Sequence, residues 1–312
     1  MITELIVIVA PVFLMLGAGY TAARVGGFTE PMVDAVMRFA QSFAVPCLLG
    51  LSVVRMDLAA DFTGDILIAF YTGSIACFTL GIVGARVLFK RRPGEAVAVG
   101  FAALFANSVL LGLPITERAY GPDILVNNFV IVSVHVPICY LLGMLTMEMA
   151  RADGRSLGDT VTTALRSLAR NPVMVGLTLG FAVNLSGLTL PEPVEAAVEL
   201  AAQAALPSAL FGLGAVLVRY RISERLGEAG MVIALSLLLH PVLVWVLGAE
   251  LMSLSDAQIK SAVVTAAMAP GINAYLFANL YGRAEDTAAT AVLIGTAASV
   301  LSVSGWLWWL GV

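Results

Sequence analysis

The stretch Ala106–Pro114, ANSVLLGLP, decides how this chain is interpreted, because it interrupts an apolar run of membrane-spanning length. Pro114 lacks a backbone N–H, and Gly112 loosens the turn before it. Lipid-exposed backbone must satisfy its hydrogen bonds internally, so a helix broken at membrane depth is expected to line protein or a cavity. With the amide of Asn107 in the same break, the stretch indicates a functional interruption.

The composition places the chain among polytopic membrane proteins. Of its 312 residues 60% are hydrophobic and 12% are charged, about half the charged fraction of a soluble domain. Net charge is −4, and no Lys/Arg-rich tract with interleaved aromatic residues indicates nucleic-acid binding. The three cysteines lie in apolar runs without CxxC spacing, so we expect no metal and no cofactor.

Ten apolar runs of about 20 residues predict an all-α protein with ten transmembrane helices. The first run contains Glu4 and lacks a basic leader, so it is interpreted as a retained helix. The predicted spans cover residues 4–22, 32–54, 64–89, 96–117, 124–148, 171–188, 194–218, 229–252, 259–281 and 287–310.

Basic residues predict the orientation. The loops after the odd-numbered spans contain 13 Lys and Arg residues, whereas the other side has three: Arg55, Arg118 and Lys260. Basic residues of short loops stay in the cytoplasm. Both termini should therefore face away from the cytoplasm, and a bacterial inner membrane is the expected location.

An internal repeat appears when the sequence is shifted by 161 positions. The shift aligns several prolines and one Tyr-Gly pair: Pro11 with Pro172, Pro46 with Pro207, and Tyr120-Gly121 with Tyr281-Gly282. We therefore predict a first five-helix repeat over 1–150, a cytoplasmic linker over 151–170 and a second repeat over 171–312. Because five is odd, the second repeat would be inverted, as in many secondary transporters.

The same shift places ANSVLLGLP of span 4 over residues 267–275, AMAPGINAY, of span 9. Span 9 is thus also interrupted, by Pro270, Gly271 and Asn273. Two broken helices from opposed repeats can meet at mid-membrane, where their half-helix N-termini favour an anion.

Polar side chains at the two breaks are the candidate substrate contacts. Asn107 and Asn273 carry amides that are costly in a membrane unless they bond backbone, water or a ligand. Ser108 and Tyr275 could donate hydrogen bonds to a carboxylate. The alternative is a structural role for each of these side chains. It could bond a carbonyl freed by the prolines, or simply pack against its neighbours.

The chain has two histidines, His135 and His240, and both lie close before a proline within predicted spans. Either could carry a coupled proton, or could bond a nearby backbone carbonyl. Spans 3–5 and 8–10 have no mid-membrane Asp or Glu, which argues against a carboxylate cation site. A sodium ion bound by backbone carbonyls at the breaks remains an alternative.

These features together resemble the auxin efflux carrier family, which includes plant PIN-type exporters and bacterial malonate- or malate-transporter-like members. The resemblance rests on Asn107-x4-Gly112-x-Pro114, the following Tyr120-Gly121, the second break and the prolines in spans 2 and 7. It covers essentially the whole chain. The long cytoplasmic loop of the plant members is absent here.

The resemblance implies a fold like that of sodium/bile-acid symporters and sodium/proton antiporters. Spans 1, 2, 6 and 7 would form a scaffold that dimerises through spans 2 and 7. Spans 3–5 and 8–10 would form a transport domain that moves as an elevator. The crossover residues of the family map onto Asn107, Pro114 and Pro270.

The sequence therefore predicts a secondary transporter of small organic anions such as malonate, malate or auxin-like acids, and not an enzyme. A sodium- or proton-coupled symporter of another small solute is the alternative. A membrane-embedded enzyme is a remote alternative, because HExxH and GxSxG motifs are absent. A channel is also a remote alternative, because it does not require two inverted interrupted helices within one chain.

Overall fold

A computed structural model describes residues 2–151, 162, 165–166 and 168–312. All regular elements named within these ranges are helical. In the part of the chain that the structure describes, seven helices are long and apolar enough to cross a membrane: Thr3–Arg24, Glu30–Arg55, Gly64–Val87, Leu125–Ala150, Glu192–Leu217, Leu226–Leu251 and Glu285–Trp309. The prediction of a polytopic, helical membrane protein is confirmed. Predicted spans 4, 6 and 9 correspond to shorter helices, and most of the predicted 151–170 linker lies outside the described residues.

The chain divides into two compact units. The first, which we call the crossing unit, comprises Met1–Val9, Thr63–Ala164 and Tyr220–Val312. Its helices are α5 (Gly64–Val87), α6 (Pro93–Leu104), α7 (Leu113–Tyr120), α8 (Leu125–Arg151), α12 (Leu226–Ala234), α13 (His240–Trp245), α14 (Asp256–Ala266), α15 (Ile272–Tyr281) and α16 (Glu285–Trp309).

The second unit, which we call the glycine-packed unit, comprises Ala10–Phe62 and Leu165–Arg219. It contains most of α1 (Ile2–Arg24), together with α2 (Glu30–Phe39), α3 (Val45–Arg55), α4 (Leu58–Asp61), α9 (Pro172–Ser186), α10 (Glu192–Gln203) and α11 (Ala205–Leu217). Two ion-pair sets join its helices: Asp34 with Arg219, and Arg55 with Glu195 and Glu199.

Three prolines follow wide turns of π-helix. Pro46, Pro114 and Pro241 each occupy the second position of a helix that comes directly after a five-residue π segment. A proline inside an α-helix removes one donor, and its ring clashes with the carbonyl four residues earlier. In a π turn each backbone N–H bonds the carbonyl five residues earlier instead of four. This widens the helix before the proline and relieves the clash. Span 2 therefore continues past Pro46.

Glycines let backbones touch in the glycine-packed unit. A Cβ at Gly19 would overlap the carbonyl oxygen of Phe211, and one at Gly214 would overlap that of Leu16. A Cβ at Gly50 would also come too close to backbone, at 2.8 Å from the carbonyl oxygen of Gly176. Without a hydrophobic force between helices in lipid, such close approach is a main source of helix association.

Gly19→Ala should lower the free energy of unfolding by about 1–3 kcal/mol, because the added methyl group overlaps backbone that cannot rotate away. Gly17 is the matched control, since nothing lies within 4 Å of its added Cβ. Gly17→Ala should be neutral or stabilising by up to about 1 kcal/mol through helix propensity. Thermal unfolding in detergent measures both, and equal midpoints for the two variants would contradict the packing role.

A nearly buried ion pair joins three segments of the crossing unit. Arg91, just before α6, binds Glu228 of α12 through two nitrogens, with a shortest distance of 2.7 Å. The side chains are 10% and 5% exposed. Thr287 of α16 donates to the same carboxylate at 2.9 Å. The pair thereby fixes the ends of three helices against each other.

Candidate functional site

Both predicted interruptions are open turns of backbone in the crossing unit. Helix α6 ends at Leu104, and a π segment, Ser108–Gly112, begins after Asn107. Helix α14 ends at Ala266, and α15 begins at Ile272 after Gly271. Neither second segment has a side-chain cap at its N-terminus. Two helix starts, each with a positive dipole end, are thus left without a capping side chain.

The two breaks pair with each other. Ala106 and Pro270 form an isolated antiparallel bridge. The N–H of Asn107 donates to the carbonyl of Ala269 at 2.9 Å, and the N–H of Gly271 donates to that of Phe105 at 2.8 Å. These two backbone N–H groups lie at the half-helix N-termini where the sequence predicts anion binding, but here they join the two breaks instead. The pairing satisfies backbone that lipid would leave unbonded.

The side chain of Asn107 lies at this pairing and is 6% exposed. Its amide nitrogen Nδ2 is buried and has no hydrogen-bond partner among the described residues. A buried N–H without a partner costs about 1–3 kcal/mol. Such a donor next to two uncapped helix starts is a candidate contact for an acceptor that comes from a ligand.

The other predicted contacts at the breaks have protein partners. Asn273, in the first turn of α15, accepts a hydrogen bond from the hydroxyl of Tyr140 at 3.1 Å through Oδ1. The buried Ser108 hydroxyl donates to the Ala106 carbonyl at 3.3 Å. The ring of Tyr275 packs on Tyr220 with 4.7 Å between centroids. Asn107 is thus the residue of this group with a buried donor that lacks a partner among the described residues.

The two predicted prolines occupy different positions. Pro270 lies in the break itself, opposite Ala106, and is buried. Pro114 lies beyond the π segment, at the start of α7, and is also buried. Proline offers no side-chain donor, so both residues shape the backbone around the site.

Both histidines are buried in the crossing unit and have partners. His135 Nδ1 lies 3.3 Å from the hydroxyl of Tyr71, which itself donates to the Ile131 carbonyl at 2.8 Å. His240 Nε2 lies 3.3 Å from the carbonyl oxygen of Phe70, to which it donates. The ring of Phe105, at the first break, packs edge-on against His135 with 4.6 Å between centroids. His135 therefore lies beside the paired breaks.

Sequence reasoning missed Asn128, which joins the two interrupted spans. Its Nδ2 donates to the hydroxyl oxygens of Thr116, after the first break, at 3.2 Å and of Thr265, before the second, at 2.7 Å. All three residues are fully buried. The adjacent amides of Asn127 and Asn128 in an apolar run were the available signal, but the sequence does not show where they point.

Asn128→Ala should lower the free energy of unfolding by about 1–3 kcal/mol, because it deletes two buried hydrogen bonds between helices. The matched control is Asn127→Ala, since the Asn127 side chain bonds the local carbonyl of Ile124, three residues earlier, and no other helix among the described residues. That variant should change the free energy by less than about 1 kcal/mol. Thermal unfolding in detergent compares them, and equal losses would contradict the bridging role.

The described part of the chain contains no cluster of three His, Cys, Asp or Glu residues that could hold a metal ion. The candidate site is therefore built from amides, hydroxyls and helix ends. Such groups can bind an anion by hydrogen bonding and by helix dipoles.

Comparison with known proteins shows the family. The model of the family described as "Membrane transport protein" matches residues 4–307. The chain belongs to this family. It is an integral membrane protein and a membrane transporter, in agreement with its apolar helices.

Three relatives cover nearly the whole chain at low identity. The "Putative malonate transporter" of Rhizobium meliloti (strain 1021) is 24% identical over 98% of this chain and 95% of its own. The "Uncharacterized transporter YfdV" of Escherichia coli (strain K12) is 22% identical over 99% and 98%. "Auxin efflux carrier component 5" of Arabidopsis thaliana is 22% identical over 93% and 92%. The resemblance to auxin efflux carriers is confirmed.

Proposed function

We propose that the protein is a secondary transporter of small organic anions whose carboxylate binds at the paired breaks. The observation that carries this proposal is the buried, unpartnered Nδ2 of Asn107 beside two uncapped helix starts. A carboxylate only accepts hydrogen bonds, so it complements a site of open donors. The names of the Rhizobium and Arabidopsis relatives, which refer to malonate and auxin, support an organic anion.

Three basic side chains of the crossing unit are already bonded within the protein, which favours a monoanion. Arg91 is paired with Glu228, Lys260 with Asp256, and Arg118 bonds the carbonyls of Val7 and Ile8. An amide and two helix dipoles can offset about one negative charge. A dicarboxylate such as malonate or malate would therefore travel with a proton or a cation, or as the monoanion.

Alternating access is proposed to follow an elevator mechanism. Ten spans in two inverted repeats (1–150 and 171–312) would place the breaks at matching depth, and the antiparallel bridge supports this arrangement. Spans 3–5 and 8–10 would move as the transport domain, and spans 1, 2, 6 and 7 would form the dimeric scaffold. The division into two compact units supports this assignment. The protein would lie in a bacterial inner membrane with both termini outside the cytoplasm.

A cation-coupled symporter of another small solute is the second candidate. The buried Oδ1 of Asn128 has no partner among the described side chains and could face a sodium ion. His135, beside the first break, and His240 could carry a proton instead. Either coupling is compatible with the same site.

Thermal unfolding of the purified protein with a panel of carboxylates tests the proposal. The panel is run in sodium and in choline, at pH 5.5 and 7.5. A ligand that binds only the folded state adds about 2.7 kcal/mol of stability at a hundredfold excess over its Kd. Stabilisation by one carboxylate supports anion transport, and its dependence on sodium or pH identifies the coupling ion. Stabilisation by neutral or cationic solutes alone would contradict it.

A further inference from the structure

An apolar groove runs along the outer surface of the glycine-packed unit, between α3 and α9. Its cavity volume is about 590 Å³. Its walls include Phe43, Pro46, Leu51, Leu179 and Val183, and Arg170 lines one end. We propose that this groove binds one acyl chain of an anionic phospholipid whose phosphate pairs with Arg170.

The floor of the groove is made by glycines. A Cβ at Gly50 would meet the carbonyl oxygen of Gly176 at 2.8 Å, and one at Gly180 would meet that of Gly50 at 2.5 Å. Because α3 and α9 approach so closely, the larger side chains on either side of this contact leave a furrow. Leu179 and Phe43 on its walls are 61% and 54% exposed, so the furrow opens outward.

The length of the groove fits one acyl chain. From Ser42 to Val54 the wall rises 12 residues, or about 18 Å at about 1.5 Å per residue. One acyl chain spans half of the hydrocarbon core of a bilayer, which is about 15 Å. The walls are almost entirely apolar, and water in such a furrow would lack the polar partners it needs. Hydrocarbon is therefore the occupant that matches the walls.

The two ends of the groove differ in charge. Near Val54, the neighbouring Arg55 is already paired with Glu195 and Glu199. At the other end, Arg170 has no ion-pair partner among the described residues and is exposed. It lies on the side that the Lys and Arg distribution assigns to the cytoplasm, where anionic lipids bind basic pockets between helices. A guanidinium matches a phosphate through two parallel hydrogen bonds.

Native mass spectrometry of the full chain in detergent, with phosphatidylglycerol or phosphatidylcholine of identical chains, tests the proposal. We expect one retained phosphatidylglycerol per protomer and at least tenfold less phosphatidylcholine. Arg170→Gln should reduce phosphatidylglycerol retention at least tenfold, whereas Arg166→Gln, the matched loss of an exposed charge four residues earlier, should not. Leu179→Trp, which fills the groove without changing charge, should reduce retention of both lipids. Equal retention by the Arg170 and Arg166 variants would overturn the proposal.

Cys47 gives a second readout, because it lines the groove while Cys77 and Cys139 are fully buried. Phosphatidylglycerol should slow labelling of Cys47 by N-ethylmaleimide at least fivefold in the wild type, and not in Arg170→Gln. Protection that grows with protein concentration in the absence of lipid would assign the groove to a second copy of the chain. That outcome would overturn the lipid proposal.

Discussion

Asn107→Ala should weaken carboxylate binding by about ten- to a hundredfold while leaving the ligand-free protein as stable as the wild type. A hydrogen bond to a charged group contributes about 1.5–3 kcal/mol, and about 1.4 kcal/mol corresponds to a tenfold change in affinity. The Nδ2 of Asn107 has no partner in the described structure, so its removal deletes no bond of the folded state. Thermal unfolding with and without the ligand, and uptake into proteoliposomes, measure the two effects.

Two variants separate ligand binding from a structural role at this position. Asn107→Asp keeps the shape but replaces the donor with a negative charge, so it should bind the anion more weakly still than the alanine variant. Asn128→Ala should behave in the opposite way, with lower stability in the absence of ligand, because Asn128 bridges Thr116 and Thr265. A ligand-free Asn107→Ala protein as unstable as Asn128→Ala would contradict the binding role.

Arg91→Ala or Glu228→Ala should lower the free energy of unfolding by about 3–5 kcal/mol, because each leaves a nearly buried partner charge without its closest counter-ion. Among the described residues each remaining charge keeps a more distant counter-ion at 3.6 Å, since Glu228 lies that far from Arg225 and Arg91 lies that far from Glu95. Denaturation of the purified variants in detergent measures the change.

Removing both charges should restore much of the stability, because the Coulombic attraction of a buried pair is offset by the cost of desolvating it. Arg91→Met combined with Glu228→Leu is the appropriate double variant. The exposed pairs of Arg55 give the contrast, and Arg55→Ala should cost no more than about 1 kcal/mol. A double variant as unstable as the sum of the single variants would show that the polar bonds themselves hold the segments together.

The sequence determined the class of the protein and where its helices break. Long apolar runs have one low-energy outcome in lipid, the hydrogen-bonded helix, so the sequence alone predicts a polytopic helical membrane protein. Pro270 and Gly271 act on their own backbone and lie in the second interruption, whereas the first interruption falls at residues 105–107, several residues before Gly112. The resemblance to the auxin efflux carrier family likewise rested on local features, among them Asn107, Gly112 and Pro114, and the family match confirms it.

The tertiary structure decided which polar group stays open. Asn107 and Asn128 are both amides in apolar runs, and their local sequence does not distinguish them. Asn128 meets two hydroxyls from other helices, whereas Asn107 Nδ2 meets none, because only folding places Thr116 and Thr265 within reach of one of them. The antiparallel bridge between Ala106 and Pro270 depends in the same way on residues 164 positions apart. The local conformation of the backbone depends on neighbouring residues. Whether a buried polar group finds a hydrogen-bond partner depends on distant segments that only the fold brings together.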